Sequence, residues 1–272
     1  MGRHVIEALG KTRVVIEDGK VIEVGEPQIK YCPLFAKKQG IEEITPEIVR
    51  ENVEFRIRDF GMCTPERQLR MKDFLSFGVS ELIGTAISTD MLDCAVIVCE
   101  GAGTVVVTDP ELVQGIGGRV SGLVSTTLMP EIIDKLGHDR VLSTEECVID
   151  QVKGTKLAQD LGYCRIGVTI CFAEDATRIR QSFGQTVALF AVHTTGRTSE
   201  EAEEIFRQCD IVTGCASKTI RTVARSKALF QVGSKVPVYA ASLWGKMLLE
   251  KRLEMTKIKN VTSPEEPPRP LI

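Results

Sequence analysis

Short apolar runs alternate with amphipathic segments through the C-terminal half of the chain. The apolar runs have the length and continuity of strands buried on both faces of a sheet, and they predict strands at 166–172, 186–192, 210–215 and 236–240. The intervening segments have helical spacing and predict helices at about 149–161, 174–183, 199–209, 217–229 and 242–256. Strands joined by helices of this length form right-handed crossovers, so the pattern predicts a mostly parallel sheet.

The N-terminal quarter has a different pattern. Apolar and polar residues alternate over 12–25 on both sides of Asp18-Gly19. An Asp-Gly pair suits the tight turn of a β-hairpin, because both central positions of that turn need a positive φ. Thr45-Pro46 and Thr64-Pro65 each place a capping residue before a proline, which indicates a helix start. We therefore expect an N-terminal hairpin followed by two helices that end near residues 59 and 77.

The middle of the chain contains two glycine-rich segments. A continuous apolar run at 94–99 predicts a buried strand, and GAGT at 101–104 then predicts a tight hairpin into the apolar residues 105–107. The second segment, GIGGRVSG at 115–122, predicts a loop. Neither segment has the spacing of a nucleotide-binding loop. Contact with an anionic ligand stays an open alternative for three of their residues, Gly101, Gly103 and Arg119.

These elements predict the α/β class, with a mostly parallel sheet, flanking helices, and an N-terminal β-hairpin and helical segment. We place the hairpin and helical region at 1–90 and the α/β region at 91–256, and we expect the two to form one compact domain. Residues 257–272 are rich in proline and charge, which is typical of a flexible tail.

Composition narrows the classes of function. The 272 residues include 34 basic and 37 acidic side chains, for a net charge of −3, and only 5% are aromatic. This balance argues against nucleic-acid binding. The longest apolar runs are too short to cross a bilayer, and the N-terminus lacks the apolar segment of a signal peptide. We expect a cytoplasmic protein without membrane insertion, and the sequence leaves its oligomeric state open.

The chain is rich in cysteine, with nine residues and no C-x-x-C pair. An odd number of cysteines in a reducing compartment does not predict a disulfide framework. Their spacings are not those of common metal sites, and Cys94 and Cys99 on one strand would point to opposite faces. Two interpretations stay open, namely ligands for zinc or an iron–sulfur cluster, and small buried apolar residues. The sequence identifies no cofactor.

Two loops at predicted strand ends carry the strongest candidate chemistry, because α/β sheets bind ligands beyond the carboxyl ends of their strands. In GCASKT, Cys215 lies near a helix N-terminus, where the helix dipole favours a thiolate, and the neighbouring amides suit a phosphate or carboxylate. The alternative is a capping Ser217 beside a buried cysteine. The candidate ligand-binding residues of this loop are Gly214, Ser217 and Lys218.

The second loop is HTTGR at 193–197. His193 suits general acid–base chemistry near neutral pH, and Arg197 suits bidentate binding of an anion. The alternative is that the loop only caps the next helix, with Arg197 in solvent. If neighbouring strand ends meet, His193 and Cys215 form a base and nucleophile pair. The ligand-binding candidates of this loop are Thr194, Thr195 and Arg197.

Four segments of the chain carry a family likeness, namely HVIEALGKTRVVIEDGKVIEVGEP at 4–27, YCPLF at 31–35, CEGAGTVV at 99–106 and CDIVTGCASKTIR at 209–221. Together they resemble the methanogenesis marker protein 8 family. The resemblance extends from His4 to about Met255. It implies an archaeal protein of methane metabolism in an anoxic cytoplasm, where thiols and oxygen-sensitive metal centres survive. It implies no particular catalytic residues.

Two functions follow as expectations. The first is an accessory or maturation factor for methyl-coenzyme M reductase or its redox and metal chemistry, with the assembly or activation machinery of that enzyme as partner. The second is an enzyme that acts on a small anionic ligand, bearing phosphate or carboxylate, at the carboxyl ends of the strands.

Overall fold

A computed structural model describes residues 2–73, 75–118, 122–260 and 266–272. Its strands are β1 (Arg3–Ala8), β2 (Thr12–Glu17), β3 (Lys20–Val24), β4 (Cys94–Cys99), β5 (Gly103–Val107), β6 (Gly122–Ser125), β7 (Ile166–Ile170), β8 (Val187–Ala191), β9 (Ile211–Thr213), β10 (Phe230–Val232) and β11 (Val238–Ala240). Its α-helices are α1 (Pro33–Gln39), α2 (Pro46–Phe60), α3 (Val79–Ser88), α4 (Pro110–Gly117), α5 (Pro130–Leu136), α6 (Gln151–Asp160), α7 (Ala173–Phe183), α8 (Ser199–Gln208), α9 (Lys218–Lys227) and α10 (Leu243–Thr256).

The larger sheet has seven strands in the order β10-β11-β9-β8-β7-β4-β5. The four strands β9, β8, β7 and β4 are parallel, which confirms the predicted parallel pairing of the C-terminal strands. The sheet is nevertheless mixed, because β5, β11 and β10 pair antiparallel with their neighbours. Short connections explain this difference, since a tight turn can join only antiparallel strands.

The smaller sheet is antiparallel, in the order β3-β2-β1-β6. The predicted hairpin forms β2 and β3, and Asp18 and Gly19 at its turn have φ values of 47° and 71°. Strands β1 and β6, and the short β10 of the larger sheet, are not among the predicted elements. The β6 strand lies in the predicted 91–256 region but pairs with β1, so the smaller sheet draws on both predicted regions.

Buried apolar residues pack on both faces of the larger sheet and, as a third cluster, between the smaller sheet and α2. Cys94 packs on one face of the larger sheet and Cys99 on the other, as strand alternation predicts. Four cysteines are buried, namely Cys63, Cys94, Cys99 and Cys209.

One prediction for the N-terminal region and one for the middle of the chain were wrong. Among the described residues that follow Thr64-Pro65, no helix forms before α3. The reason lies in tertiary contacts, because the fully buried Arg67 donates to the carboxylate of Glu100 and the carbonyl of Gly115. The predicted loop at 115–122 is also wrong in part, since α4 extends through Gly117 and β6 begins at Gly122.

The described end of the chain lies against the rest of the protein. Arg269 forms an isolated antiparallel bridge with Tyr31, and Ile272 exchanges hydrogen bonds with Ala216 and Lys218. The flexibility expected of residues 257–272 stays a prediction. Within the described part of the chain, no helix has the length and apolar character needed to span a membrane.

Candidate functional site

The carboxyl ends of β7, β8 and β9 are neighbours, and the smaller sheet packs against them. Lys11, between β1 and β2, donates from Nζ to the carbonyl of Thr195 at 3.0 Å. A Cβ atom on Gly122 would lie 3.4 Å from Nδ1 of His193, so the start of β6 touches the loop after β8. This arrangement places polar side chains and one aromatic ring around a single arginine. We call it the Arg197 site, and it comprises Glu7, Lys11, Cys171, Phe172, His193, Arg197 and Glu201.

Arg197 is held firmly at the centre of this site. Its guanidinium lies 4.5 Å from the ring centroid of Phe172, and Nη1 lies 3.3 Å from Oε1 of Glu201. The side chain is 16% exposed. Its Nε is buried and has no acceptor within hydrogen-bond distance among the described residues. A buried N–H donor without an acceptor is costly, so this atom is a candidate partner for an acceptor on a ligand.

His193 lies beside Arg197 in a backbone conformation with φ 51°. Burial lowers the pKa of His193 below its ordinary value, and the positive charge of Arg197 acts in the same direction. His193 as a whole residue is nevertheless exposed to solvent, which limits the effect of burial on its pKa. At neutral pH the imidazole is therefore neutral and is able to donate from one nitrogen while it accepts at the other.

Two acidic groups complete the chemistry around Arg197. Burial raises the pKa of Glu7, although the charges of Lys11 and Arg197 oppose this shift. Burial also raises the pKa of Cys171 to about 11, again against the effect of Arg197. The Cys171 thiol is therefore protonated at neutral pH and is not an activated nucleophile.

A cavity of about 290 Å³ adjoins the Arg197 site. Phe172 and Glu201, which both contact Arg197, also line this cavity. Its other lining residues are Ala173, Glu174, Asp175 and Arg178. Burial raises the pKa of Asp175, with Arg178 opposing the shift. Three of the six lining residues are acidic and one is basic, so Arg197 supplies the positive charge next to the cavity besides that of Arg178.

The predicted site around Cys215 has a different environment from that of an activated thiol. Burial raises the pKa of Cys215, and its Sγ lies 3.6 Å from Oγ1 of Thr213. Ser217 caps α9 by accepting from the amide of Ile220 at 3.2 Å, and the amide of Lys218 donates to the main-chain oxygen of Ile272. These contacts favour the alternative of a capping Ser217, although the cysteine beside it is half-buried rather than buried. A catalytic role for Cys215 with His193 stays a prediction.

The two predicted loops lie side by side, because β8 and β9 are adjacent. Thr194 donates from Oγ1 to the carbonyl of Thr213 at 2.6 Å, and Thr195 accepts at Oγ1 from the amide of Ala216 at 3.2 Å. Both threonines are buried and hold the loops together. Gly214 packs closely against Pro237, where an added Cβ would lie 2.7 Å from Cγ of the proline.

The remaining predicted residues occupy other places. Gly101 and Gly103 form the tight β4–β5 turn with φ values of 82° and 77°, which confirms the predicted hairpin. A Cβ on Gly101 would lie 2.4 Å from Cε of Met129, so the turn is packed against the protein. Arg119 lies outside the described residues.

Sequence reasoning missed Glu7, Lys11 and Glu201. The i,i+4 spacing of Arg197 and Glu201 is a signal that was present in the sequence. No sequence signal links Glu7 or Lys11 to the strand ends, because they belong to the other sheet. Within the described residues there is no group of three or more cysteine, histidine or acidic side chains able to hold a metal ion.

The fold and this site define a class, namely α/β proteins whose parallel strands end at a polar ligand-sized site covered by a second, antiparallel sheet. The chain belongs to the family described as "uncharacterized protein conserved in archaea (DUF2099)", which it matches over residues 4–254. It is similar to the uncharacterized protein MJ0054 of Methanocaldococcus jannaschii, with 44% identity over 264 residues that cover 95% of this chain and 93% of the relative. No solved structure matches the chain.

Proposed function

We propose that this protein binds a small anionic ligand, a carboxylate or a phosphate, with Arg197 as its anchor. The observation that carries the proposal is the buried Nε of Arg197, which lacks an acceptor among the described residues. A guanidinium presents parallel donors that match the oxygens of a carboxylate or phosphate. Stacking on Phe172 and the contact with Glu201 hold the guanidinium in place before the ligand arrives.

The neighbours of Arg197 support binding of an anion and supply proton-transfer groups. Lys11 adds a second positive charge, and the neutral imidazole of His193 adds a hydrogen-bond donor. Glu7, whose pKa burial raises, is the candidate proton donor or acceptor if the ligand reacts. The adjoining cavity of about 290 Å³ fits the body of a small metabolite.

Titration calorimetry with inorganic phosphate and with succinate tests the proposal. We expect one of the two anions to bind the wild-type protein and Arg197→Gln to weaken that binding by about 10- to 100-fold, the range for a lost charged hydrogen bond. Arg197→Lys keeps the charge but removes Nε, and we expect an intermediate loss.

The matched control is Arg207→Gln. Arg207 lies on α8, the helix that carries Glu201, but it is 66% exposed, pairs with Glu204 and does not line the cavity. We expect at most a twofold change from this variant. Absence of binding of both anions to the wild-type protein, or equal losses from the Arg207 and Arg197 variants, would contradict the proposal.

A second candidate is a role as an accessory or maturation factor for methyl-coenzyme M reductase in an archaeal cytoplasm. Two observations favour it, the 44% identical relative in a methanogen and the four segments that resemble methanogenesis marker protein 8. The test is anaerobic affinity purification from a methanogen with a tagged copy. Recovery of the reductase or its activation machinery supports the role, and recovery of neither under conditions that preserve their complexes opposes it.

A further inference from the structure

The last residues of the chain are tied at one end to the layer formed by the smaller sheet. The main-chain oxygen of Arg269 accepts from the amides of Lys30 and Tyr31 at 2.7 and 3.0 Å, and its own amide donates to the Tyr31 carbonyl at 3.0 Å. Its guanidinium also stacks 4.5 Å from the Tyr31 ring centroid. The adjoining Cys32 and Phe35 pack against the core beneath the smaller sheet.

The other end is tied to the layer formed by the larger sheet. The amide of Ile272 donates to the carbonyl of Ala216 at 3.0 Å, and the main-chain oxygen of Ile272 accepts from the amide of Lys218 at 2.9 Å. Lys218 is the first residue of α9, whose initial amides have no partner within the helix. Residues 269–272 therefore bridge the smaller sheet's layer and the loop that follows β9.

We propose that residues 266–272 are a latch that holds the two layers closed over the Arg197 site, and that release of the latch admits the ligand. The need for opening follows from the burial of Arg197, which is only 16% exposed. The residues that hold Ile272, or lie next to them in the chain, contact the loop of Arg197 at two points. Ala216 donates from its amide to Thr195, and Thr219 donates from its hydroxyl to the carbonyl of Arg197 at 2.7 Å.

The latch is built to release without unfolding of the protein. It is joined by a few main-chain hydrogen bonds, and most of its described side chains are exposed or half-buried, Pro268 being buried. Segments with few buried contacts open locally at low free-energy cost. Regulation of the Arg197 site in this way rests on the proposed function, whereas the opening of the latch does not.

Cysteines at the two ends of the latch provide reporters. Cys32 follows Tyr31, Cys215 precedes Ala216, and both are half-buried. Cys164 is exposed and serves as the internal reference, and the fully buried Cys99 reports global unfolding. Pulsed alkylation with iodoacetamide and peptide mass spectrometry measures all four rates in one sample.

The first variant ends the chain after Pro270 and so removes Leu271 and Ile272. We expect the alkylation rate of Cys215 to rise at least tenfold relative to Cys164, the rate of Cys32 to rise as well, and Cys99 to stay unlabelled. Hydrogen exchange at the Lys218 amide should accelerate by a similar factor, because that amide loses its acceptor. A relative rate for Cys215 within twofold of the full chain, with unchanged exchange at Lys218, would overturn the latch.

The second variant is Arg269→Ala in the 272-residue chain. It removes the stack on Tyr31 and the ion pair with Glu266 but keeps the main-chain hydrogen bonds of the latch. This variant is decisive if Cys99 becomes labelled in the shortened chain. We expect a threefold or larger rise at Cys215, and no rise would overturn the proposal. The matched control is Arg58→Ala, which removes an exposed arginine 5.7 Å from the Phe55 ring on α2. It should leave the alkylation rates of Cys215 and Cys32 unchanged. These assays contain no ligand, so failure of the latch and failure of anion binding are separate results.

Discussion

The buried ion pair between Arg67 and Glu100 offers the sharpest test of how the fold is stabilised. Nε of the arginine lies 2.5 Å from Oε1 of the glutamate, and both side chains are 0% exposed. Glu100→Gln removes the carboxylate charge and leaves the guanidinium buried without it. Loss of one partner of a buried pair costs about 3–5 kcal/mol in the free energy of unfolding.

We expect a loss of about 3 kcal/mol, the lower end of that range, for two reasons. Arg67 keeps its hydrogen bonds to the carbonyls of Gln68 and Gly115, at 2.7 and 2.6 Å, and the glutamine amide retains an oxygen acceptor. A loss of this size is a large part of the roughly 5–15 kcal/mol that stabilises an ordinary domain. Replacement of both partners by apolar residues, as Arg67→Met with Glu100→Leu, should recover much of the loss, since a buried pair has little net stability over apolar packing.

Equilibrium urea unfolding, followed by far-ultraviolet circular dichroism, measures these differences. The control is Glu23→Gln, which breaks an ion pair with Arg13. The two side chains are 2.6 Å apart and are exposed, Arg13 by 51% and Glu23 by 58%. An exposed pair of this kind contributes at most about 1 kcal/mol. If Glu100→Gln costs less than about 1 kcal/mol, or no more than the control, the burial argument is refuted.

Glu7→Gln should stabilise the protein at pH 7 but not near pH 3. Burial raises the pKa of Glu7 above its ordinary 4.5, so the folded state binds the proton more tightly than the unfolded state, and the free energy of unfolding falls as the pH rises above 4.5. Urea unfolding measured as a function of pH checks this difference. Gly103→Ala should lower the free energy of unfolding by more than about 2 kcal/mol, because φ is 77° and the added Cβ would clash with the carbonyl oxygen of Val148. The control Gly162→Ala, with φ 89° and no atom within 4 Å of the added Cβ, should lower it by only about 1 kcal/mol. Thermal unfolding measures both changes. Alkylation of Cys215 should accelerate only above its ordinary pKa of 9.0, since burial raises that pKa, and a midpoint below 8 would restore the activated-thiol hypothesis.

The elements that the sequence predicted well are those whose pattern is local. The strands and helices from β7 to α9 each combine a continuous apolar run or a helical period with capping residues, so local physics is sufficient. The turn at Asp18-Gly19 is equally local. The side-by-side placement of the loops at 193–197 and 214–218 also followed from the pattern, since successive parallel strands in such a fold are usually neighbours.

The elements that the sequence missed depend on distant partners. Thr64-Pro65 has the local signature of a helix start, but burial of Arg67 beside Glu100 imposes an irregular path on the backbone. Strand β11 runs antiparallel to β9 because a short connection joins it to the antiparallel strand β10. The smaller sheet contributes Glu7 and Lys11 to the Arg197 site, and its position over the larger sheet leaves no trace in spacing or composition.

The pairing of β1 with β6 has a consequence for how the protein folds during synthesis. Val5 pairs with Ser125, so the outer edge of β1 lacks its neighbour until the ribosome has made about half of the chain. An unpaired edge that carries apolar residues such as Val5 and Ile6 is prone to pair with other chains. Contacts of such large sequence separation also slow folding. We expect a nascent chain stalled before residue 122 to expose this edge and to be protease-sensitive, with protection of the N-terminal hairpin gained only after β6 emerges.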